Sequence, residues 1–142
     1  MRTWTKFAMA VIVAPSMPVI ASAQYRDLDT ALSNLSRGFG NGDTQAVVAG
    51  MAEGDQVQLQ FPGLIERDGF FGRDQATYIL EGLFSKTRPS GFETQNARKV
   101  SAENAYHITA TWNIQGGPRE LYITLRNKGD RWSIVSVRSA GK

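Results

Sequence analysis

Apolar residues fall into two spacings along this chain, one helical and one strand-like, and the order of the two predicts the elements. Leu28, Leu32, Leu35 and Phe39 recur at intervals of four, three and four, which lines them along one stripe of a helix expected from about Tyr25 to Arg37. Asp27 and Asp29 fall in its first turn, where the positive end of the helix dipole favours carboxylates. Gly38, Gly40 and Gly42 are expected to end it. Asp43 is placed to cap a short second helix, Thr44 to Met51, by accepting a bond from a backbone N–H. From Asp55 the period drops to two: Val57, Leu59 and Phe61 face one way and Gln56, Gln58 and Gln60 the other, a half-buried strand that Pro62-Gly63 stops. Leu64-Ile65 and Phe70-Phe71 flank Glu66-Arg67-Asp68-Gly69, whose Asp-Gly pair suits a turn with positive φ. Helical spacing returns from Arg73 to Lys86, with Ala76, Ile79, Leu80, Leu83 and Phe84 in one arc.

After Pro89-Ser90-Gly91 the spacing becomes extended and stays so. Runs over Phe92–Ser101, Ala105–Ile114, Glu120–Asn127 and Arg131–Val137 are joined by short, turn-rich segments, the signature of an antiparallel meander at whose edge the early strand can pair. Helices must then cover one apolar sheet face, so the class is α+β. Strand parity assigns the faces. Tyr106, Ile108, Ala110, Trp112 and Ile114 point beneath the helices with Leu121, Ile123 and Leu125. His107, Thr109, Thr111, Asn113, Tyr122, Thr124 and Arg126 point to the outer face. That thinly charged polar surface is either simply wet, as one face of an antiparallel sheet commonly is, or a sheet-to-sheet interface.

Composition adds limits. The 142 residues include no cysteine and one histidine, so neither a disulfide framework nor a Cys- or His-cluster metal site is expected, and no cofactor is implied. Arg2 and Lys6 precede the apolar run Phe7 to Ala14, and Ala21-Ser22-Ala23 follows it. Residues 1–23 therefore read as a secretory leader whose removal leaves Gln24 first, with residues 24–142 as one exported domain, periplasmic or extracellular. Pro15 and Pro18 break an apolar stretch already too short to span a bilayer, so no stable membrane insertion is expected after cleavage. The 16 basic residues less Arg2 and Lys6 leave 14 against 13 acidic ones, a net charge of +1 in place of +3. That balance does not provide the basic face a nucleic-acid partner needs.

The order helix, helix, strand, helix, meander resembles the nuclear transport factor 2-like superfamily, in which a curved sheet wraps around a long helix as a cone. More narrowly, Phe71-Gly72-Arg73-Asp74-Gln75-Ala76, then Ile79-Leu80, Leu83-Phe84, Pro89 and Phe92, is similar to the small exported bacterial proteins of domain-of-unknown-function family 4783, over about residues 28–138. The superfamily resemblance implies two uses of the cone. Enzymes of that superfamily, ketosteroid isomerase among them, hold an Asp or His base beside a Tyr inside it. In this chain Asp27, Asp29, Asp43 and Asp74 start helices, the strand acids Glu93 and Glu120 alternate outward, and His107 shares the threonine face. A catalytic interior is therefore not expected. Alternatively the cone holds a small apolar ligand, with Phe84, Tyr106 and Trp112 as lining candidates beside Phe92 and Trp132, and Asn96 and Arg98 at its mouth. The same aromatics can instead fill the core outright. The expected function is an exported, non-catalytic binding or homodimerising module with an apolar ligand or a protein as partner. The alternative is a small-molecule enzyme or carrier with a cone pocket.

Overall fold

A computed structural model of the chain describes residues 25–129 and 131–140. The leader expected over residues 1–23, and Gln24 as a new N-terminus, lie outside the described residues. The first helix, α1 (Leu28–Asn41), starts three residues later than its periodicity suggests. Asp27 is its N-cap, with Oδ1 accepting from the Thr30 N–H at 2.8 Å; Tyr25 precedes the helix and is buried. The glycines expected to end α1 divide the work. Gly42, at φ 74°, turns the chain out of the helix, while Gly38 and Gly40 lie within it. Glycine inside a helix costs about 1 kcal/mol against alanine, and here close packing requires it. A Cβ on Gly38 would collide with the Val47 side chain, and one on Gly40 would stand 3.3 Å from the Phe92 backbone nitrogen.

Asp43 caps α2 (Thr44–Val48), accepting from Ala46 N–H at 3.3 Å as expected. This helix stops before Met51 because the next residues are taken up by other contacts. The Gly50 carbonyl accepts from Ile134 N–H at 2.7 Å, and the Tyr25 ring occupies the space where a Gly50 Cβ would stand. Strands β1 (Gln56–Gln60) and β2 (Gly69–Gly72) form an antiparallel pair running from Gln56 opposite Gly72 to Leu59 opposite Gly69. The Asp-Gly pair is not the positive-φ turn that its sequence suggests. Gly69 begins β2, the positive φ belongs to Gly63 at 77°, and Asp68 closes the loop with its carboxylate, which accepts from Phe61 N–H at 3.0 Å.

Helix α3 (Arg73–Thr87) follows, then β3 (Gly91–Val100), β4 (Ala105–Ile114), β5 (Gly117–Asn127) and β6 (Trp132–Ser139). They form one curved, unclosed sheet in the order β2-β1-β6-β5-β4-β3. All neighbours are antiparallel except β1 and β6, which run parallel, and β2 rather than β1 takes the edge. Val57, Leu59, Ile108, Trp112, Leu121, Ile123, Leu125 and Val137 form the buried face of the sheet beneath the buried stripes of α1 and α3. No helix among the described residues is long and apolar enough to cross a membrane.

Candidate functional site

The concave side is occupied by the protein's own aromatic side chains. Trp112 is fully enclosed, and its Nε1–H donates to the Phe39 carbonyl at 2.7 Å. The Phe39 ring stands edge-on to Trp112 at 5.6 Å and to Phe84 at 5.4 Å, and Phe61 closes on Trp112 at 5.9 Å. Such edge-to-face packing satisfies the ring quadrupoles and leaves no room between rings for a ligand. Phe84 and Trp112, two of the pocket-lining candidates, are therefore packed core. Tyr106 is half-buried and meets Trp132 at 5.1 Å.

No carboxylate among the described residues enters this interior. Among the described residues the buried polar groups are Asn34, Thr87, Ser133, Ser139 and the phenol of Tyr25. The Tyr25 hydroxyl donates to the Ala46 carbonyl at 3.0 Å. Burial pushes its pKa far above the ordinary tyrosine range, opposed by the smaller effect of the Arg37 charge. A neutral phenol whose proton is already engaged, with no base beside it, has no acid–base partner.

Asn96 and Arg98 are not at the mouth of the cone. Their expected placement rested on unbroken alternation along β3, but the register slips between Thr94 and Asn96. This bulge at Gln95 reverses the phase beyond it. Phe92 and Thr94 pair with Trp112 and Ala110, whereas Asn96 and Arg98 pair with Thr109 and His107 and so join the outer face.

Among the described residues no helix covers that outer face. Two in-register rows cross it. One runs Gln60, Arg138, Tyr122, Thr109, Asn96, and the other Phe70, Gln58, Ser136, Thr124, His107, Arg98. Near its centre the Arg138 guanidinium lies over the Tyr122 ring, 5.3 Å from its centroid. The Tyr122 hydroxyl donates to Glu120 at 2.6 Å, a bond to a carboxylate that raises the phenol's pKa. His107 Nε2 meets the Glu103 carboxylate at 3.0 Å, and Gln95 reaches Thr111 at 3.2 Å. Thr111 and Asn113 continue the face toward the β4–β5 turn, and Arg126 lies at its other end, opposite Ala105. Glu93 and Glu120 are exposed there on either side of Thr111, as parity predicts. Parity found the β4 and β5 members of this face. It missed Phe70, which is 63% exposed, because that residue reads as a turn flank rather than an outward strand position. It also missed Ser136 and Arg138, which lie opposite Thr124 and Tyr122 in the antiparallel β5–β6 pairing, beyond a register shift between Thr124 and Leu125.

Two depressions open elsewhere. One, of about 670 Å³, lies at the start of α3 among Glu53, Arg73 and Asp74, and another, of about 350 Å³, at the far end of that helix beside Lys86 and Arg119. No group of three or more potential metal ligands occurs among the described residues.

A family model, Domain of unknown function (DUF4783), matches residues 32–139. The chain belongs to the DUF4783 family. A DUF4783 protein from Bacteroides ovatus has the same fold, at a TM-score of 0.67 and 22% identity over 78% of this chain and 94% of that one. A second, from Bacteroides fragilis, gives 0.66 at 20% identity, over 77% and 96%. An NTF-2 like protein of unknown function from Silicibacter pomeroyi gives 0.56 at 14% identity, over 91% and 100%. At such identities the likeness is one of fold, and it bears out the α+β, nuclear transport factor 2-like architecture for this DUF4783 chain. No curated protein matches the sequence.

Proposed function

We propose that this DUF4783 chain is an exported, non-catalytic module that acts by pairing with a second copy through the outer face of its sheet. The observation that carries the reading is the face itself, whose centre is built of Thr, Gln, Ser and Tyr around a single guanidinium, that of Arg138. Interfaces are depleted in charge at their centre and enriched in Tyr and Arg, the two residues stacked here as Tyr122 and Arg138. Charges of both signs sit toward the rim, Glu93 and Glu120 near one end and Arg98 and Arg126 near the other, so a two-fold axis sets acid against base. Six strands at about 4.8 Å spacing and roughly eight residues of about 3.3 Å rise give a footprint of about 760 Å². A standard interface uses about 800 Å² per partner.

The alternative of an enzyme or carrier with a cone pocket is disfavoured by the packed aromatics and by the lack of a buried carboxylate or imidazole among the described residues. Export rests on the leader-like residues 1–23 and is tested by fractionating cells and reading the N-terminus of the exported chain, expected at Gln24. Full-length protein confined to the cytoplasm would sink that part. For the pairing, sedimentation equilibrium is expected to give a dimer by high micromolar concentration, and a monomer throughout that range would overturn it.

A further inference from the structure

We propose that the cleft at the end of α3 binds a small organic carboxylate carrying a short apolar stem. The cleft, of about 350 Å³, is enclosed by Leu64, Lys86, Ile114, Gly116, Gly117 and Arg119 among others, and none of its lining residues is acidic. Its two cations are anchored to one turn. Lys86 Nζ donates to the Leu64 carbonyl at 3.0 Å and Arg119 donates to the Pro62 carbonyl at 3.4 Å. Both partners are neutral, and among the described residues neither cation forms an ion pair, so two positive charges face one opening, each with more N–H donors than the one bond uses.

At the negative end of α3, three carbonyls already have donors within the protein: Leu83 from the Thr87 hydroxyl at 2.7 Å, Phe84 from Arg88 N–H at 3.0 Å, and Thr87 from Gln115 N–H at 2.7 Å. The neighbouring acids are engaged or turned elsewhere. Asp68 is bonded to Phe61 N–H and Glu120 to Tyr122 on the opposite sheet face, while Glu66 is exposed in the loop and outside the lining. Leu64 and Ile114 supply apolar wall for a stem. Gly116 and Gly117, at φ 104° and 122°, carry no side chain over the opening. Two cations matched to one carboxylate form charge-assisted bonds roughly twice as strong as neutral ones.

The probe is hexanoate, titrated into the purified chain and followed through backbone amide shifts. Saturable shifts are expected at Gly116, Gly117 and Arg119, with a dissociation constant on the order of 1 mM, the scale open to so small a ligand. Lys86→Gln and Arg119→Gln are each expected to weaken binding about tenfold, and Arg26→Gln to leave it unchanged. Hexanol, which keeps the stem and lacks the charge, is expected to bind at least about tenfold more weakly. Amide spectra away from the cleft report whether each variant is folded. Shifts that do not saturate, that persist in the Lys86/Arg119 double variant, or that hexanol or inorganic phosphate reproduces at equal concentration would overturn the proposal. The cleft lies off the outer face, so a monomeric Thr124→Glu variant is expected to bind hexanoate as the wild type does, which separates this test from that of pairing.

Discussion

Among the described residues, Tyr25 is the one whose ionisation and burial are in direct conflict. Its ring fills the space over Gly50, its hydroxyl donates to Ala46 and its carbonyl accepts from Trp132 N–H at 2.8 Å. The folded state holds the phenol neutral, its pKa raised by burial. In the unfolded chain it titrates near 10. The stability this provides is therefore complete below about pH 10 and is lost as pH rises further, by about 1.4 kcal/mol per pH unit for one proton. Urea midpoints measured from pH 8 to above 11 are expected to fall more steeply for wild type than for Tyr25→Phe, which lacks the ionisable proton but gives up a buried hydrogen bond of about 1 kcal/mol at neutral pH. Parallel curves would show that the phenol is not held in this way. Trp112 makes the complementary case at the other side of the core. Trp112→Phe keeps an aromatic ring beside Phe39 and Phe61 but leaves the Phe39 carbonyl without its donor. A loss of about 1–3 kcal/mol is expected from that orphaned acceptor, with further loss from the void, read as a lower midpoint at unchanged m-value.

At the scale of elements, long runs with one clear period were legible and interruptions were not. Helix α3 and strands β1, β4 and β5 lie where periods of 3.6 and 2 place them, because each buries a single stripe or face. The glycines of α1 misled because sequence shows glycine's cost in a helix but not the neighbour that makes it necessary. A Gly38→Ala variant weighs the two directly. Alanine gains about 1 kcal/mol of helix propensity, but its Cβ meets Val47, and overpacking typically costs about 1–3 kcal/mol. A net destabilisation is expected, and Val47→Ala is expected to cost less in the Gly38→Ala background than alone. Additive effects in that double-mutant cycle would place the clash elsewhere. The β3 bulge misled more seriously, since one extra residue moved Asn96 and Arg98 to the other face and no composition cue marks Gln95. Its position explains its use. β3 is a ten-residue edge strand, and a bulge spoils an edge for unwanted pairing. Deleting Gln95 is expected to keep the fold and the pairing from Asn96 to Val100 while making the edge continuous. Light scattering on heating should then rise earlier than for wild type; no change would mean the bulge has no protective part.

For the whole molecule, alternation along β4 and β5 was enough to separate a packed side from a bare one, so that part of the candidate site was readable in the chain. The six-strand width of the bare face was not, because it depends on β6 lying parallel to β1, a pairing of Gln58 with Ser136, Leu59 with Val137 and Gln60 with Arg138 that leaves no local trace. The filled interior was likewise one of two outcomes until the depth of α1 was known, since Phe39 reaches Trp112 only because the helix continues past Gly38. Those two facts act together in the proposed pairing: aromatic side chains fill the interior of the described residues, and the broad outer face is the surface that pairing would use. Thr124 lies near its middle, between His107 and Ser136. In a two-fold pairing a glutamate at this position would face a copy of itself or another buried polar row, and an uncompensated charge in a dehydrated centre costs several kcal/mol. Thr124→Glu is accordingly expected to sediment as a monomer with near wild-type secondary structure, as the residue is only half-buried in the single chain. Thermal unfolding gives an independent check, because association ties stability to concentration. Raising free protein to about a hundred times the dissociation constant adds about 2.7 kcal/mol, so the wild-type midpoint should climb with concentration and that of Thr124→Glu should stay level. A wild-type midpoint that stays level as well would leave the outer face a solvated surface.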